Sequence, residues 1–167
     1  APPVFRFVRQ RIVELFATGL YLGKIKFAPG TFGTILGIPF AWALATYLPP
    51  YGYLVGIAVF FVISAVSAQL HERYTRTHDP GEIVIDEVVG YIVAMTWLPL
   101  TWQAFVAAFF LFRFFDIAKP PPIRQIDRGI GGGVGTTLDD MAAGLVTNLI
   151  LQWVASRTDW LGVVHGT

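Results

Sequence analysis

The chain has 167 residues, 54% apolar and 14% charged, with no cysteine. Soluble domains carry roughly 25% charged residues, and a domain this small cannot hide so many apolar side chains from water, so lipid is the expected solvent. A net charge of +1 names no partner, and the lack of cysteine excludes disulfides, thiolate metal sites and a cysteine nucleophile.

In the first twenty residues, Arg6, Arg9, Gln10 and Glu14 fall on one helical face, with Phe5, Val8, Ile12, Leu15 and Phe16 largely opposite. This period predicts an amphipathic helix that either lies in the headgroup layer or packs on the remaining helices. Arg6, Arg9 and Arg11 interrupt the apolar residues, so no cleavable signal is expected. Next comes Gly23-Lys24-Ile25-Lys26-Phe27-Ala28-Pro29-Gly30-Thr31, a turn before an apolar run. Its backbone N–H groups, with the Thr31 hydroxyl, can meet a phosphate; equally, it can be an entry turn with tight helix packing at Gly33 and Gly37.

From Phe27 to Leu70 there is no charged residue, and Pro49-Pro50-Tyr51-Gly52 divides the stretch. About 20 residues on either side suffice to cross ~30 Å of hydrocarbon, so a helical hairpin is predicted. Val88 to Phe112 is also uncharged, with Pro99 inside it, and Met141 to Ser156 is the third such stretch. Counting the Pro99 stretch as two spans puts eleven of the twelve Lys and Arg on one side, leaving only Arg157 opposite. Counting it as one would move Arg113, Lys119, Arg124 and Arg128 outside, against the positive-inside tendency. The expectation is an all-α membrane bundle in a single domain. Its five spans fall near residues 32–48, 53–70, 84–98, 101–116 and 140–156, and several are short enough to imply tilt, thinning or partial re-entry.

The same topology puts ten of the eleven acids on the basic side, leaving Asp159 opposite. Ionisable groups at membrane depth are costly and point to function. The first group runs Asp79-Pro80-Gly81-Glu82-Ile83-Val84-Ile85-Asp86-Glu87, where Asp86 and Glu87 open an apolar helix. Helix capping explains one acid there better than two. In the second, Arg113 and Asp116 stand three apart, close enough for a helical ion pair, with Lys119 beyond. Pro120-Pro121-Pro122 follows as a stiff bend.

The third group runs from Asp127-Arg128-Gly129 through Gly131-Gly132-Gly133-Val134-Gly135 to Asp139-Asp140, before the last span. Glycine backbone N–H groups can converge on an anion, but the spacing fits neither a P-loop nor a dinucleotide fingerprint. Asp139 and Asp140 are expected at a helix start, and neighbours about 100° apart on a helix imply that one of each acidic pair leads in the site. Five carboxylates, Asp86, Glu87, Asp116, Asp139 and Asp140, thus share one end of three spans. Such hard oxygen ligands suit Mg²⁺. His71 and His78, assigned to a solvated loop, are left out of the site.

Four segments together resemble the phosphatidylglycerophosphatase A family. They are Lys26-Phe27-Ala28-Pro29-Gly30-Thr31-Phe32-Gly33-Thr34, Ile83-Val84-Ile85-Asp86-Glu87-Val88-Val89-Gly90, Phe112-Arg113-Phe114-Phe115-Asp116-Ile117-Ala118-Lys119-Pro120, and Gly132-Gly133-Val134-Gly135 with Asp139-Asp140-Met141-Ala142-Ala143-Gly144. Their order and spacing match across nearly the whole chain. Thr137, where a bulkier Met is expected in many relatives, departs slightly.

The resemblance implies a bacterial inner-membrane enzyme, Mg²⁺-dependent, with its site facing the cytoplasm. It would convert phosphatidylglycerophosphate to phosphatidylglycerol. The resemblance gives the metal set as Asp86, Glu87, Asp116, Asp139 and Asp140, with Asp86, Glu87, Asp139 and Asp140 catalytic. Lys26, Thr31, Arg113, Lys119, Arg128 and Gly133 are the expected substrate contacts. The expected chemistry is hydrolysis of a phosphate monoester, by activated water or through an aspartyl phosphate. Neither a nucleic acid nor an obligatory protein partner is expected. An ion-coupled transporter subunit or a structural membrane subunit is the alternative. A transporter needs polar groups deep in the spans, and a structural role gives no reason for five acids at one end.

Overall fold

The computed structural model describes residues 3–76 and 81–162; His78 and Asp79 lie outside them. Among the described residues the fold is entirely helical: α1 (Pro3–Ala17), a 3-10 turn (Leu22–Lys24), α2 (Pro29–Tyr47), α3 (Pro50–Thr75), α4 (Ile85–Ala94), α5 (Trp102–Ala118), α6 (Ile123–Gly129) and α7 (Gly132–Arg157). Proline opens both α2 and α3, a position where its missing N–H costs nothing. The Thr101 hydroxyl accepts from the Ala104 N–H, 3.2 Å away, to cap α5.

One helix, α3, is clearly long and apolar enough to cross a membrane. Its outer face, including Val55, Val59, Val62 and Val66, is exposed. The outward faces of α5 and α7 match it, with Val106, Phe110 and Phe114 on one and Leu145, Leu149 and Trp153 on the other.

Over 84–98 the helix is shorter than the expected span. Only ten of those residues are helical, a rise of ~15 Å, half the hydrocarbon thickness. α4 is instead the centre of the bundle, packed against α2, α3, α5 and α7 and buried on every side except at half-buried Glu87. The last carbonyls of a helix have no partner within it, and here neighbouring side chains supply the donors. Tyr53 Oη donates to the Ile92 carbonyl at 2.6 Å. Asn148 Nδ2 donates to the carbonyls of Ala94 at 2.9 Å and Thr96 at 2.7 Å, and Gln152 Nε2 to that of Thr96 at 2.9 Å. So satisfied, the backbone leaves the helix at Met95, and Pro99 falls in the non-helical segment that leads to α5. Sequence periodicity reports apolar length and cannot see where donors on α3 and α7 permit the helix to stop.

α1 packs on α3, burying Val13 and Ala17, while Phe5, Val8, Ile12 and Phe16 stay exposed. It therefore packs on the bundle and still presents an apolar stripe. α6 was not anticipated, although Ile123, Ile126 and Ile130 carry helical spacing.

Candidate active site and metal centre

Two glycines set the geometry of the acidic end. α4 and α7 cross where Gly90 meets Gly144: a Cβ on Gly144 would collide with the Gly90 carbonyl, and a Cβ on Gly90 would lie 2.8 Å from the Asp140 carbonyl. Four residues earlier on each helix, on the same face, stand Asp86 and Asp140. The backbone contact therefore delivers the two carboxylates to one another. α2 closes the third side along its glycine edge, with Gly33 against Val84 and Gly37 against Tyr91. Here the packing role weighed for Gly33 and Gly37 is the one observed.

Asp86, Glu87 and Asp140 each bring a carboxylate oxygen into a cluster whose atoms all lie within 4.8 Å of one another. Asp86 and Asp140 are buried and Glu87 is half-buried. Glu87 Oε2 and Asp140 Oδ2 are buried without a hydrogen-bond partner. Unpaired carboxylate oxygens pressed together are strongly unfavourable, and a divalent cation with oxygen preference removes both penalties. The donor set fits a hard cation.

The trio lines a polar cavity of about 310 Å³ that also receives Asp116, Asp127, Asp139, Arg113 and Lys119. Arg113 pairs with Asp116, one turn along α5, and its Nη1 lies 3.9 Å from Glu87 Oε1. Lys119 Nζ bridges Asp127 Oδ1 at 2.9 Å and Asp139 Oδ2 at 2.5 Å. Partial burial alone would lower the Lys119 ammonium, but these two carboxylates carry it above the ordinary lysine range. Its hydrogen bond holds Asp127, on exposed α6, below the usual carboxylate range. Asp139 responds oppositely to the same contact: burial pushes its carboxyl up to about 6, with Lys119 pulling the other way. The difference follows from exposure, because Asp139 is only 3% exposed and desolvation outweighs the pair.

All five expected acids thus line one cavity, together with Arg113 and Lys119. Both members of each acidic pair line the cavity, where one apiece was expected to lead: five helices contribute to its walls, so side chains 100° apart both reach it. Asp139 and Asp140 do not stand at a helix start, since α7 begins at Gly132, two turns earlier. The glycines expected as an anion loop are the first turn of α7. The Gly133 N–H donates to Gln69 Oε1 at 3.2 Å, and a Cβ there would meet the Ala65 carbonyl, so Gly133 is a packing residue.

The remaining expected contacts lie elsewhere. Lys26 and Arg128 are exposed and do not line the cavity, nor does half-buried Thr31, whose N–H donates to the Ala28 carbonyl at 3.0 Å. Thr137 joins α7 to α3 through Ser64, 2.7 Å away. His71 is on α3 rather than in a loop, and is buried beside Glu82 Oε1 at 2.8 Å. Asp127 and Thr136, which the cavity includes, had been given no site role. For Asp127 the isoleucine period of α6 was the available signal. Gly30, expected in a turn that could meet a phosphate, lines the cavity and there leaves room: a Cβ on it would stand 2.5 Å from Glu87 Oε1 and 2.9 Å from Arg113 Nη1.

Comparison with known proteins gives the chain its family. No solved structure matches the chain. Phosphatidylglycerophosphatase A of Escherichia coli K12 is 36% identical over 84% of this chain and 82% of its own length. The protein of that name from Haemophilus influenzae is 36% identical over 83% of this chain and 86% of its own. A Bacteroides thetaiotaomicron relative, provisionally named a phosphatidylinositol-3-phosphatase, is 34% identical over 84% of this chain and 93% of its own. The phosphatidylglycerophosphatase A family model matches residues 15–155, a stretch that contains every carboxylate of the cavity. The chain is therefore a phosphatase of the phosphatidylglycerophosphatase A family.

Proposed function

We propose that this protein hydrolyses the terminal phosphate monoester of phosphatidylglycerophosphate, releasing phosphatidylglycerol and phosphate, with Mg²⁺ held by Asp86, Glu87 and Asp140. The observation that carries this reading is the convergence of those three carboxylates, with two orphaned oxygens, in a family of lipid phosphatases. Six carboxylates and two cations line the cavity, and without a metal that balance repels a phosphate dianion. When bound, the metal neutralises the phosphate and lowers the pKa of coordinated water. Magnesium suits a site of a few carboxylates that leaves positions for water and phosphate oxygens.

The protein's own groups have separable roles in this scheme. Arg113, steered by Asp116 and Glu87, donates N–H bonds to the phosphoryl oxygens as charge develops there. Lys119, at the C-terminal end of the same helix, does the same. Asp139, buried and held by Lys119, takes the proton of the attacking water as general base. The headgroup follows the two relatives named for phosphatidylglycerophosphate rather than the inositol-lipid name of the third.

We further infer a multi-pass bundle in the bacterial inner membrane, with the acidic end toward the cytoplasm. The exposed apolar faces of α3, α5 and α7 support it. So do the exposed Tyr47, Tyr51, Trp97, Trp102 and Trp160 at the other end, where an aromatic belt belongs. In this arrangement α4 and the segment after it cross within protein, the setting in which irregular backbone at membrane depth is tolerated. The transporter alternative has fewer free polar groups deep in the spans, since Asn148 is committed to the Ala94 and Thr96 carbonyls and Gln152 to that of Thr96.

Phosphate release from phosphatidylglycerophosphate in detergent micelles tests the proposal. EDTA should stop it, Mg²⁺ should restore it, and Asp86→Asn or Asp139→Asn should abolish it while the protein still inserts. Wild-type turnover in both variants, with metal present, rejects the assignment.

A further inference from the structure

Beside the acidic cavity runs a second, apolar one of about 560 Å³. Its walls include Ile57 of α3, Val93 of α4, Ile126 of α6, and Leu138, Met141 and Leu145 of α7. Asn148 lies at its edge, but its amide donors are committed to the Ala94 and Thr96 carbonyls, so they make no demand on an occupant. α3 and α7 touch near Gly133 and Thr137, and beyond that contact the cavity opens between them toward Leu54 and Trp97.

The two cavities share two walls. On α6, Ile126 faces the apolar cavity and Asp127 the acidic one; on α7, Leu138 and Met141 face the first, while Asp139 and Asp140 face the second. Consecutive residues thus divide a phosphate-binding chamber from an alkyl-lined one. From Leu138 to Asn148 the α7 wall rises ~15 Å, which is one leaflet of a ~30 Å hydrocarbon core. The outward faces of α3 and α5 also meet lipid in the membrane reading, and α5 sets exposed Phe114 and Ile117 beside Arg113 and Asp116 of the acidic cavity, but the apolar cavity lies on the α7 side.

We propose that this groove receives one acyl chain of the lipid whose phosphate occupies the acidic cavity, so that the protein recognises its substrate by chain as well as by headgroup. The inference rests on the phosphatase reading above and adds a subsite to it. It makes catalytic efficiency depend on the length of the chain that reaches the groove.

The absence of cysteine permits a test on protein that has already folded. Leu145→Cys places a single thiol at an exposed position of the groove, and Val62→Cys places one on the exposed face of α3, outside it. Each purified variant is assayed before and after reaction with N-phenylmaleimide, on dipalmitoyl and on dihexanoyl phosphatidylglycerophosphate. Modified Leu145→Cys should lose on the order of tenfold in kcat/KM on the dipalmitoyl lipid, as when two or so methylenes are left unburied. Its dihexanoyl rate should be unchanged, and modified Val62→Cys should match its unmodified form on both lipids. An unchanged dipalmitoyl kcat/KM in modified Leu145→Cys overturns the proposal, as does an equal loss on both lipids. A wild-type protein inert on both lipids sinks the phosphatase reading itself and the groove assignment with it.

Discussion

α3 and α4 are both apolar helices, and their sequences predict the same thing, a membrane span. α3 has 26 residues and leaves a valine face exposed. α4 has ten, exposes almost nothing, and depends on Tyr53, Asn148 and Gln152 to satisfy the backbone where it stops. The difference separates two uses of apolar sequence. One helix turns an apolar face outward, and substitutions on that face have few specific contacts to lose. The other is held on all sides so that Asp86 and Glu87 cannot move apart from Asp140, and every neighbour constrains it.

The contrast can be broken or sharpened by substitution, beginning with the largest effect. Asp140→Asn should lower phosphate release on the order of a thousandfold at saturating Mg²⁺. Its metal-free protein should unfold at or above the wild-type temperature, because that carboxylate is buried and shares its cavity with Asp86, Glu87, Asp116 and Asp139. Added Mg²⁺ should raise the melting temperature of wild type and not of the variant. A variant less stable than wild type in EDTA would show that the acids attract partners other than a metal.

Gly144→Leu drives a side chain into the Gly90 carbonyl. It should cost about 3 kcal/mol, the upper range for overpacking, and remove activity by parting α4 from α7. Retention of wild-type turnover would mean that the crossing does not position the site. Asn148→Ala strips the donor from the Ala94 carbonyl and one of two donors from Thr96. A loss of about 1–3 kcal/mol is expected in thermal or denaturant unfolding, with metal binding kept at temperatures where the fold holds. The smallest effect belongs to α3: Val62→Leu, on its exposed face, should change stability by no more than about 0.5 kcal/mol and leave turnover alone. A larger loss would mean that this face has a specific partner.

Much of the site was legible before any coordinates. Asp86, Glu87, Asp116, Asp139 and Asp140 stand out because carboxylates bordering apolar runs are expensive, and all five line the cavity. The Arg113–Asp116 pair follows from spacing along one helix. Less legible were contacts between distant segments. Lys119 gave no hint that it would bridge Asp127 to Asp139 across twenty residues, and the glycines before Asp139 read as a phosphate loop when they are the seat of α7 against α3. His71 looked like a loop residue because nothing local shows that α3 continues to Thr75 and buries it.

By itself the sequence determined the helical character of the chain, its kinship and the identity of its acids. These depend on composition, on period and on motifs a few residues long, all of which survive without knowledge of neighbours. Only the tertiary structure decided that α4 stops after ten residues, that Gly90 and Gly144 bring two carboxylates face to face, and that an apolar groove opens beside them. Close approach is a property of pairs of surfaces. A glycine reads the same in a sequence whether it loosens a loop or lets two backbones touch.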